Sequence, residues 1–497
     1  MKQHSFLTAL CLLFAAVPIT GQTIKSSMEF APSEHWVKPV EKPYREEICL
    51  NGTWAFAPVQ LPVGFKEGET PAPALPGVNE VTFSKTPIRI PSPWNVNSFA
   101  DKNGLGGDHR TYPSYPKEWE SIKMGWLQKK FTVPASWKGK RIQIHFEAVA
   151  GKTDIYVNGK AVGDNFDIFM PFDIDITDAV KFGQENTLNV GIQKSSLFDD
   201  RKSPLGRRTY QGGSFWGQHI AGIWQDVYLV ALPQTRVADV YIQPIVNKNT
   251  LEVEVTLRND ENKPVEVNIS AAAYPWISKA GKTVLTAANP SSQLGSQAAL
   301  QMPTQKVTIP AGKEIKTTLK TTVDNKLKLW SPSSPNLYGL VVKTSVNGKT
   351  NDSKYTRFGW RQTELKDGKF WLNGKPFVLK GDSWHYMGIP QMTRRYPWAW
   401  YTALRDANCN AVRLHAQPFP SFYLDVADEM GILVLDESAM WASDGGQKLG
   451  SEEFWKCSEE HMNNSYCVTA IILRYSDGVF RTKSCLLFVV SCVMLRD

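Results

Sequence analysis

Four polar residues late in the chain stand at the ends of two short apolar runs. They are Arg413 and His415 in the first case, and Asp436 and Glu437 in the second. The carboxyl ends of buried parallel strands are the positions at which α/β barrels place ligand-binding and catalytic groups. Guanidinium, imidazole and carboxylate groups can donate or accept hydrogen bonds there. Their types and spacing therefore predict a site for ligand chemistry.

The elements that must position these groups form one βαβ unit. The runs Ala411–Leu414 and Ile432–Leu435 are β-branched and aliphatic, as buried parallel strands are. The segment between them carries apolar residues that suit a helix, namely Phe422, Leu424, Val426, Ala427 and Met430. The sequence therefore predicts two parallel strands that are joined by a helix. Further helices are predicted at Trp398–Asn408 and Glu452–Met462.

These residues also carry a family resemblance. The strings Asn410–His415 and Asp428–Glu437 resemble the family-2 glycoside hydrolases, the family of the β-galactosidases, β-glucuronidases and β-mannosidases. Upstream, Leu329–Tyr338 resembles a recurrent family signature, and Arg357–Arg361 is similar to the family's link into its barrel. The resemblance implies retaining hydrolysis of β-linked sugars, with a carbohydrate as the partner. The cysteine spacing shows no metal-binding pattern, and we assign neither a cofactor nor a metal.

The resemblance also implies which residues bind the sugar. It points to Asp382, His385, Arg413, His415 and Glu437 as substrate-binding residues. The first four are expected just past the ends of barrel strands, where the floor of the sugar site lies. The alternative for each residue is a buried polar network that only holds loops in place.

The predicted fold is multidomain. Alternating apolar and polar runs up to residue 357, with tight turns such as Asn158-Gly159, indicate two β-sandwiches. The predicted divisions are a signal peptide (1–22), a jelly-roll sugar-binding-like domain (23–232), an immunoglobulin-like β-sandwich (233–357), an incomplete (β/α)8 TIM barrel (358–462) and a non-family tail (463–497). The second sandwich is expected to act as a spacer that packs on the barrel, without chemistry of its own.

Aromatic residues of the first sandwich are a second candidate for sugar contact. Trp94, Trp126, Trp216 and Trp224 could stack on the apolar face of a pyranose, but packing in the core is the commoner role for such residues. Two long irregular stretches, 97–125 and 201–218, are either functional or mobile. In the family, loops of this domain can approach the sugar site.

The sequence predicts that this chain lacks catalysis. A retaining glycosidase needs two carboxylates about 5 Å apart. Asp436 and Glu437 are adjacent on a strand, so their side chains point to opposite faces and cannot form that pair. The family's acid/base Glu and its nucleophile Glu belong to later barrel strands, and neither motif is found. We therefore assign no catalytic residue.

The tail from Asn463 onward departs from the family's pattern. Read back into codons and shifted in frame, Asn464–Lys483 can spell a His-Pro-Ser and Asn-Glu motif of the kind that ends barrel strand four. We therefore expect a frameshift near codons 460 to 464, with the acid/base Glu across codons 482 and 483. A barrel needs roughly 250 residues, and the roughly 105 from Phe358 to Met462 cannot close one.

Composition limits the other function classes. The net charge of +8 is spread without a dense Lys/Arg block, so we expect no nucleic-acid partner. Lys2, the apolar run Phe6–Val17 and small residues near Thr20 predict a signal peptide and a periplasmic or extracellular protein. The apolar run of the tail is too short to span a bilayer. The oligomeric state is open, and the alternative function is a non-catalytic carbohydrate-binding or interaction protein.

Overall fold

The computed structural model describes most of the chain. The described residues are 35–95, 115–204, 206–213, 219–278, 292–386, 388, 391–440, 446–469, 471–472, 479–482 and 486–488. The predicted signal peptide, Trp216, most of the stretch 97–125 and most of the tail lie outside them. So does Lys483, one of the two positions where the shifted reading would place the acid/base Glu.

The first domain is a sandwich of two antiparallel sheets. Its strands are β1 (Glu46–Cys49), β2 (Gly52–Val59), β3 (Ile88–Ile90), β4 (Met124–Thr132), β5 (Arg141–Phe146), β6 (Val149–Ala150), β7 (Lys152–Val157), β8 (Lys160–Asn165), β9 (Phe172–Asp175), β10 (Glu185–Gln193), β11 (Gly222–Ile223) and β12 (Val227–Leu232). One sheet has the order β1-β12-β5-β9 and the other β3-β2-β4-β10-β7-β8, and β6 pairs with β11. Short 3-10 helices cover Pro39–Glu41, Val78–Glu80, Lys117–Ser121, Ala135–Trp137 and Ser195–Phe198.

Tryptophans fill the core of this sandwich. Trp94 and Trp224 are fully buried and Trp126 is nearly so. Each indole N–H donates to a backbone carbonyl, those of Ile122, Ile168 and Pro76 respectively. A buried indole needs such a partner, because its N–H would otherwise be desolvated without compensation. The packing role is confirmed for these three residues.

The second domain is a smaller antiparallel sandwich. Its strands are β13 (Thr235–Ile245), β14 (Thr250–Asn259), β15 (Val265–Ser278), β16 (Ser292–Leu294), β17 (Leu300–Gln301), β18 (Gln305–Ile309), β19 (Glu314–Thr322), β20 (Trp330–Ser331), β21 (Ser334–Pro335), β22 (Leu337–Val346) and β23 (Lys349–Gly359), with a 3-10 helix at Val246–Lys248. The sheets run β13-β14-β19 and β16-β15-β22-β23, with β17 and β18 also on β15. The hairpin β20-β21 precedes the last two strands.

The third region combines antiparallel strands with a parallel sheet. Its elements are β24 (Thr363–Lys366), β25 (Lys369–Leu372), β26 (Lys375–Pro376), β27 (Gly381–Trp384), α1 (Arg395–Asp406), β28 (Ala411–Leu414), α2 (Phe422–Met430), β29 (Leu433–Asp436), α3 (Glu452–Thr469), β30 (Ile471–Ile472), β31 (Val479–Thr482) and β32 (Leu486–Phe488). The antiparallel sheet has the order β26-β25-β24-β31-β30, and the parallel sheet has the order β27-β28-β29-β32.

The parallel sheet is the beginning of a barrel, as predicted. Strand β28 has the predicted bounds, and β29 is displaced by one residue from its prediction. Helix α3 continues past the predicted boundary at residue 462 to Thr469. Strand β27 lies at one edge of the sheet and all four of its residues are exposed, including 42% of Trp384. Such an edge leaves backbone hydrogen-bonding groups unpaired.

A buried ion pair joins the first domain to the second. Arg45 Nε and Nη2 donate to the two carboxylate oxygens of Asp352 at 2.9 and 2.7 Å. The second oxygen also accepts from the backbone N–H of Val237 at 2.8 Å. Both side chains are almost fully excluded from solvent. Because each buried charge depends on the other, removal of one leaves an uncompensated ion.

Replacing Asp352 with Ala should therefore destabilise the protein by about 3 kcal/mol. The matched control is Glu185→Ala, which breaks an exposed pair with Lys130 and should change the free energy of unfolding by less than about 1 kcal/mol. Denaturant midpoints of the two variants, measured side by side, check this prediction. Equal midpoint shifts would show that the Arg45–Asp352 pair contributes no more than a surface pair.

Candidate functional site

The ends of β27, β28 and β29 bring four polar residues to one face of the parallel sheet. His385 follows β27, His415 follows β28, and Glu437 follows β29. The register aligns Ser383 with Arg413 and Arg413 with Leu435, and the side chains of a strand alternate between faces. Arg413, His385, His415 and Glu437 therefore share a face.

The structure corrects the expected position of two residues. Asp382 and Arg413 lie within β27 and β28 and not past the strand ends. Asp382 is aligned with Val412, so it belongs to the face opposite Arg413. Its carboxylate is exposed and accepts a hydrogen bond from the backbone N–H of Ser383 at 2.8 Å. The sheet register thus separates Asp382 from the other four residues.

Glu437 fixes the position of Arg413. Its Oε1 accepts from Arg413 Nε at 2.7 Å and lies 2.6 Å from Nη2. Its Oε2 accepts from the backbone N–H of Ala416 at 2.5 Å. Ala416 has a positive φ of 55°, which turns the chain after β28 so that this N–H can reach the carboxylate. The Glu437 side chain is fully buried, whereas 38% of the Arg413 side chain is exposed.

Two histidines lie beside this pair. The rings of His385 and His415 have centroids 3.9 Å apart. Burial and the nearby Arg413 charge lower the pKa of His385, and burial, His385 and Arg413 lower the pKa of His415. Both rings are therefore neutral at pH 7, and each offers one donor and one acceptor nitrogen. Among the described residues, His415 Nδ1 has no hydrogen-bond partner.

Asp436 lies on the other face of β29. It lines a pocket between the first sandwich and the barrel strands, together with Glu147, Phe169, Gln225 and Leu424 among others. Burial raises the pKa of Asp436 to about 8, so its carboxyl is largely protonated at neutral pH. The predicted divergence of Asp436 and Glu437 is confirmed.

A loop of the first sandwich reaches this site. The sequence left two interpretations of the stretch 201–218, a functional loop or a mobile one, and the contact agrees with the first. The backbone N–H of Gly213 donates to the carbonyl of Ala439 at 3.0 Å, two residues beyond Glu437. A Cβ on Gly213 would lie 2.9 Å from the Cβ of Gln417, so the close approach requires glycine. Gly213 was not singled out in the sequence analysis. The only sequence signal for a close backbone approach was the several glycines of the stretch 201–218.

The described part of the chain contains neither a metal-binding cluster nor a membrane-spanning helix. No three His, Cys, Asp or Glu side chains there are grouped closely enough to hold a metal ion. No helix among the described residues has the length and apolar character needed to cross a membrane.

Two β-sandwiches, followed by parallel strands with a polar cluster at their carboxyl ends, are the architecture of a multidomain glycoside hydrolase. Family profiles agree with this class. Residues 48–233 match the sugar binding domain of the Glycosyl hydrolases family 2, residues 235–361 match the family's middle domain, and residues 363–483 match its TIM barrel domain. The last match extends beyond the boundary predicted at residue 462. The chain belongs to glycosyl hydrolases family 2.

Named relatives support the same assignment. A β-galactosidase of Thermoanaerobacter pseudethanolicus is 28% identical over 369 residues, which are 71% of this chain and 44% of the relative. A putative β-glucuronidase of Formosa agariphila is 28% identical over 400 residues, 78% of this chain and 42% of the relative. The chain thus spans less than half the length of these relatives.

A solved structure shares the fold. Bacteroides uniformis β-glucuronidase 2, covalently bound to cyclophellitol-6-carboxylate aziridine, superposes with a TM-score of 0.62 at 20% identity. The alignment covers 85% of this chain and 45% of that structure. The likeness confirms the order of two sandwiches and a partial barrel.

The buried Asp436 should make stability depend on pH. Between pH about 4 and about 8 the carboxyl is ionised in the unfolded chain but protonated in the folded one, so stability falls as pH rises. Asp436→Asn should flatten this slope in denaturant midpoints measured across the range. Glu185→Gln is the control, because it removes an exposed carboxylate that pairs with Lys130 and leaves Asp436 and the slope in place. An Asn variant that parallels the wild type would refute the prediction.

Proposed function

We propose that this chain binds a β-linked sugar, in the first place a β-galactoside, at the face formed by Arg413, His385 and His415. The observation that carries the proposal is the Arg413–Glu437 pair at the carboxyl ends of the strands. Support also comes from the relatives that are named β-galactosidases and β-glucuronidases.

The chemistry of this face suits hydroxyl groups. Arg413 is half-buried and fixed in direction by Glu437, which leaves the exposed part of its guanidinium to donate to sugar oxygens. The neutral rings of His385 and His415 can donate and accept, as hydroxyl groups do. Because the arginine is already held by its carboxylate, little side-chain entropy is lost when a sugar binds.

We further propose that this chain does not hydrolyse the sugar. Retaining hydrolysis needs a protonated and an ionised carboxyl group about 5 Å apart on either side of the glycosidic bond. Both oxygens of Glu437 are occupied by Arg413 and Ala416. Asp436 lies on the opposite face of its strand. Among the described residues, the cluster therefore holds neither an acid/base group nor a nucleophile.

A direct test measures binding and turnover on the same preparation. Titration calorimetry with methyl β-galactoside and methyl β-glucuronide should show binding, and nitrophenyl glycosides of both sugars should release no nitrophenol. Arg413→Ala should weaken binding by roughly tenfold or more, because a hydrogen bond to a charged group contributes about 1.5–3 kcal/mol.

Arg405→Ala is the matched control for the arginine substitution. Arg405 is an exposed arginine on α1 that donates to the carbonyl of Met430 at 2.8 Å, and its loss should leave sugar binding unchanged. Nitrophenol release by the wild-type chain would overturn the non-catalytic part of the proposal. Binding that survives Arg413→Ala would move the site to the sandwiches and favour a carbohydrate-binding protein built from residues 23–357.

A further inference from the structure

A buried carboxylate of the first sandwich reaches into the barrel region. Asp167, between β8 and β9, accepts backbone hydrogen bonds at Oδ1 from Phe169 and Met170, at 2.9 and 3.1 Å. Its Oδ2 lies 2.7 Å from Nδ1 of His461, on helix α3. The His461 side chain is fully buried and that of Asp167 is nearly so.

The second nitrogen of His461 determines which tautomer the ring adopts. The backbone N–H of Ala439 donates to Nε2 of His461 across 3.1 Å. A backbone amide nitrogen can only donate, so Nε2 must be the acceptor and carry no proton. The ring proton then sits on Nδ1, where it is donated to Asp167. An imidazolium would place a second proton on Nε2, directly against the Ala439 N–H.

The next peptide unit, which carries the carbonyl of Ala439, is held as well. The carbonyl of Ala439 accepts from the N–H of Gly213, a residue of the first sandwich. Ala439 is fully buried and follows Glu437 by two residues. The segment Glu437–Ala439 is thus fixed at one end by Arg413 and at the other by groups that depend on the first sandwich.

We propose that Asp167 and His461 are positioning residues for the sugar site. Asp167 selects the Nδ1–H tautomer of His461, that tautomer accepts the Ala439 N–H, and the fixed segment holds Glu437 against Arg413. The proposal rests on the proposed function for its ligand, a β-linked sugar, but its structural steps do not depend on that function. It makes the first sandwich a part of the site across a domain boundary.

Asp167→Asn tests the first step. The amide side chain of this variant would keep an oxygen for the N–H groups of Phe169 and Met170 but would present an N–H to His461. The ring must then accept at Nδ1 and carry its proton on Nε2, where it opposes the Ala439 N–H; an Asp-to-Asn change beside a histidine can switch tautomers in this way.

The tautomer can be read from nitrogen chemical shifts in the full chain labelled with ¹⁵N-histidine. The resonances of His461 are assigned by their loss in His461→Gln. We expect a neutral Nδ1–H ring in the wild type and an Nε2–H ring in Asp167→Asn. A wild-type ring that is protonated on Nε2, alone or as an imidazolium, would overturn the proposal.

The second step has a readout that needs no sugar. The Nε–H of Arg413 donates to Glu437, and its resonance, assigned by Arg413→Lys, reports that contact. We expect Asp167→Asn to shift or broaden this resonance and to weaken sugar binding by about tenfold, the cost of one misplaced hydrogen bond. The amide of His461→Gln can donate and accept hydrogen bonds, whereas the side chain of His461→Leu can do neither. His461→Gln should therefore retain more of the wild-type Arg413 resonance and more of the sugar affinity than His461→Leu.

The outcomes separate the two proposals. If the wild type binds no sugar but the Arg413 resonance follows the His461 tautomer, the positioning role stands and the proposed ligand fails. If Asp167→Asn switches the tautomer while the Arg413 resonance and the sugar affinity stay unchanged, the positioning role is overturned. Equal loss in His461→Gln and His461→Leu, with an unfolding midpoint lowered in both, would show that His461 only packs.

Discussion

The architecture depends on the rule that a charge removed from water must be paired. Transfer of a lone carboxylate or guanidinium into the interior costs several kcal/mol or more. Each domain boundary of this chain nevertheless contains a polar pair that is wholly or largely buried, and examples are Arg45–Asp352, Arg357–Glu429 and Asp167–His461. Each pair is complete only when the two domains are docked. The three domains therefore fix one another, and independent movement of one would expose or orphan a charge.

This rule also explains how the second sandwich is held against the barrel region. It was expected to be a spacer that packs on the barrel, and its last strand contacts helix α2 through charged groups. Arg357 of that strand contacts Asp425 at 2.5 Å and Glu429 at 2.7 Å, and Arg361, two residues past the strand, contacts Asp428 at 2.9 Å. Helix α2 joins the two strands that carry the polar cluster. Its position, and with it the spacing of those strand ends, is held in part from outside the barrel.

The sequence predicted what periodicity and local spacing encode. Strand Ala411–Leu414 and the opposite directions of Asp436 and Glu437 were found as predicted, because buried parallel strands read as apolar runs and side chains alternate along a strand. The position of Asp382 was wrong, because it lies within β27 and not past its end. The bounds of a short strand depend on pairing with its neighbour, and that pairing cannot be read from one strand's sequence. Asp167 and His461 are 294 residues apart, and a contact between domains leaves no periodic trace in either segment.

The left-handed conformation of Ala416 has a consequence for how the cluster is formed. A residue with a Cβ adopts a positive φ at a cost of about 1 kcal/mol or more. Here the cost is offset when Glu437 accepts the Ala416 N–H, so the turn and the Arg413 contact, which share this carboxylate, stabilise each other. The arrangement therefore exists before any ligand arrives. The free-energy cost of ordering the cluster therefore belongs to folding and not to ligand binding.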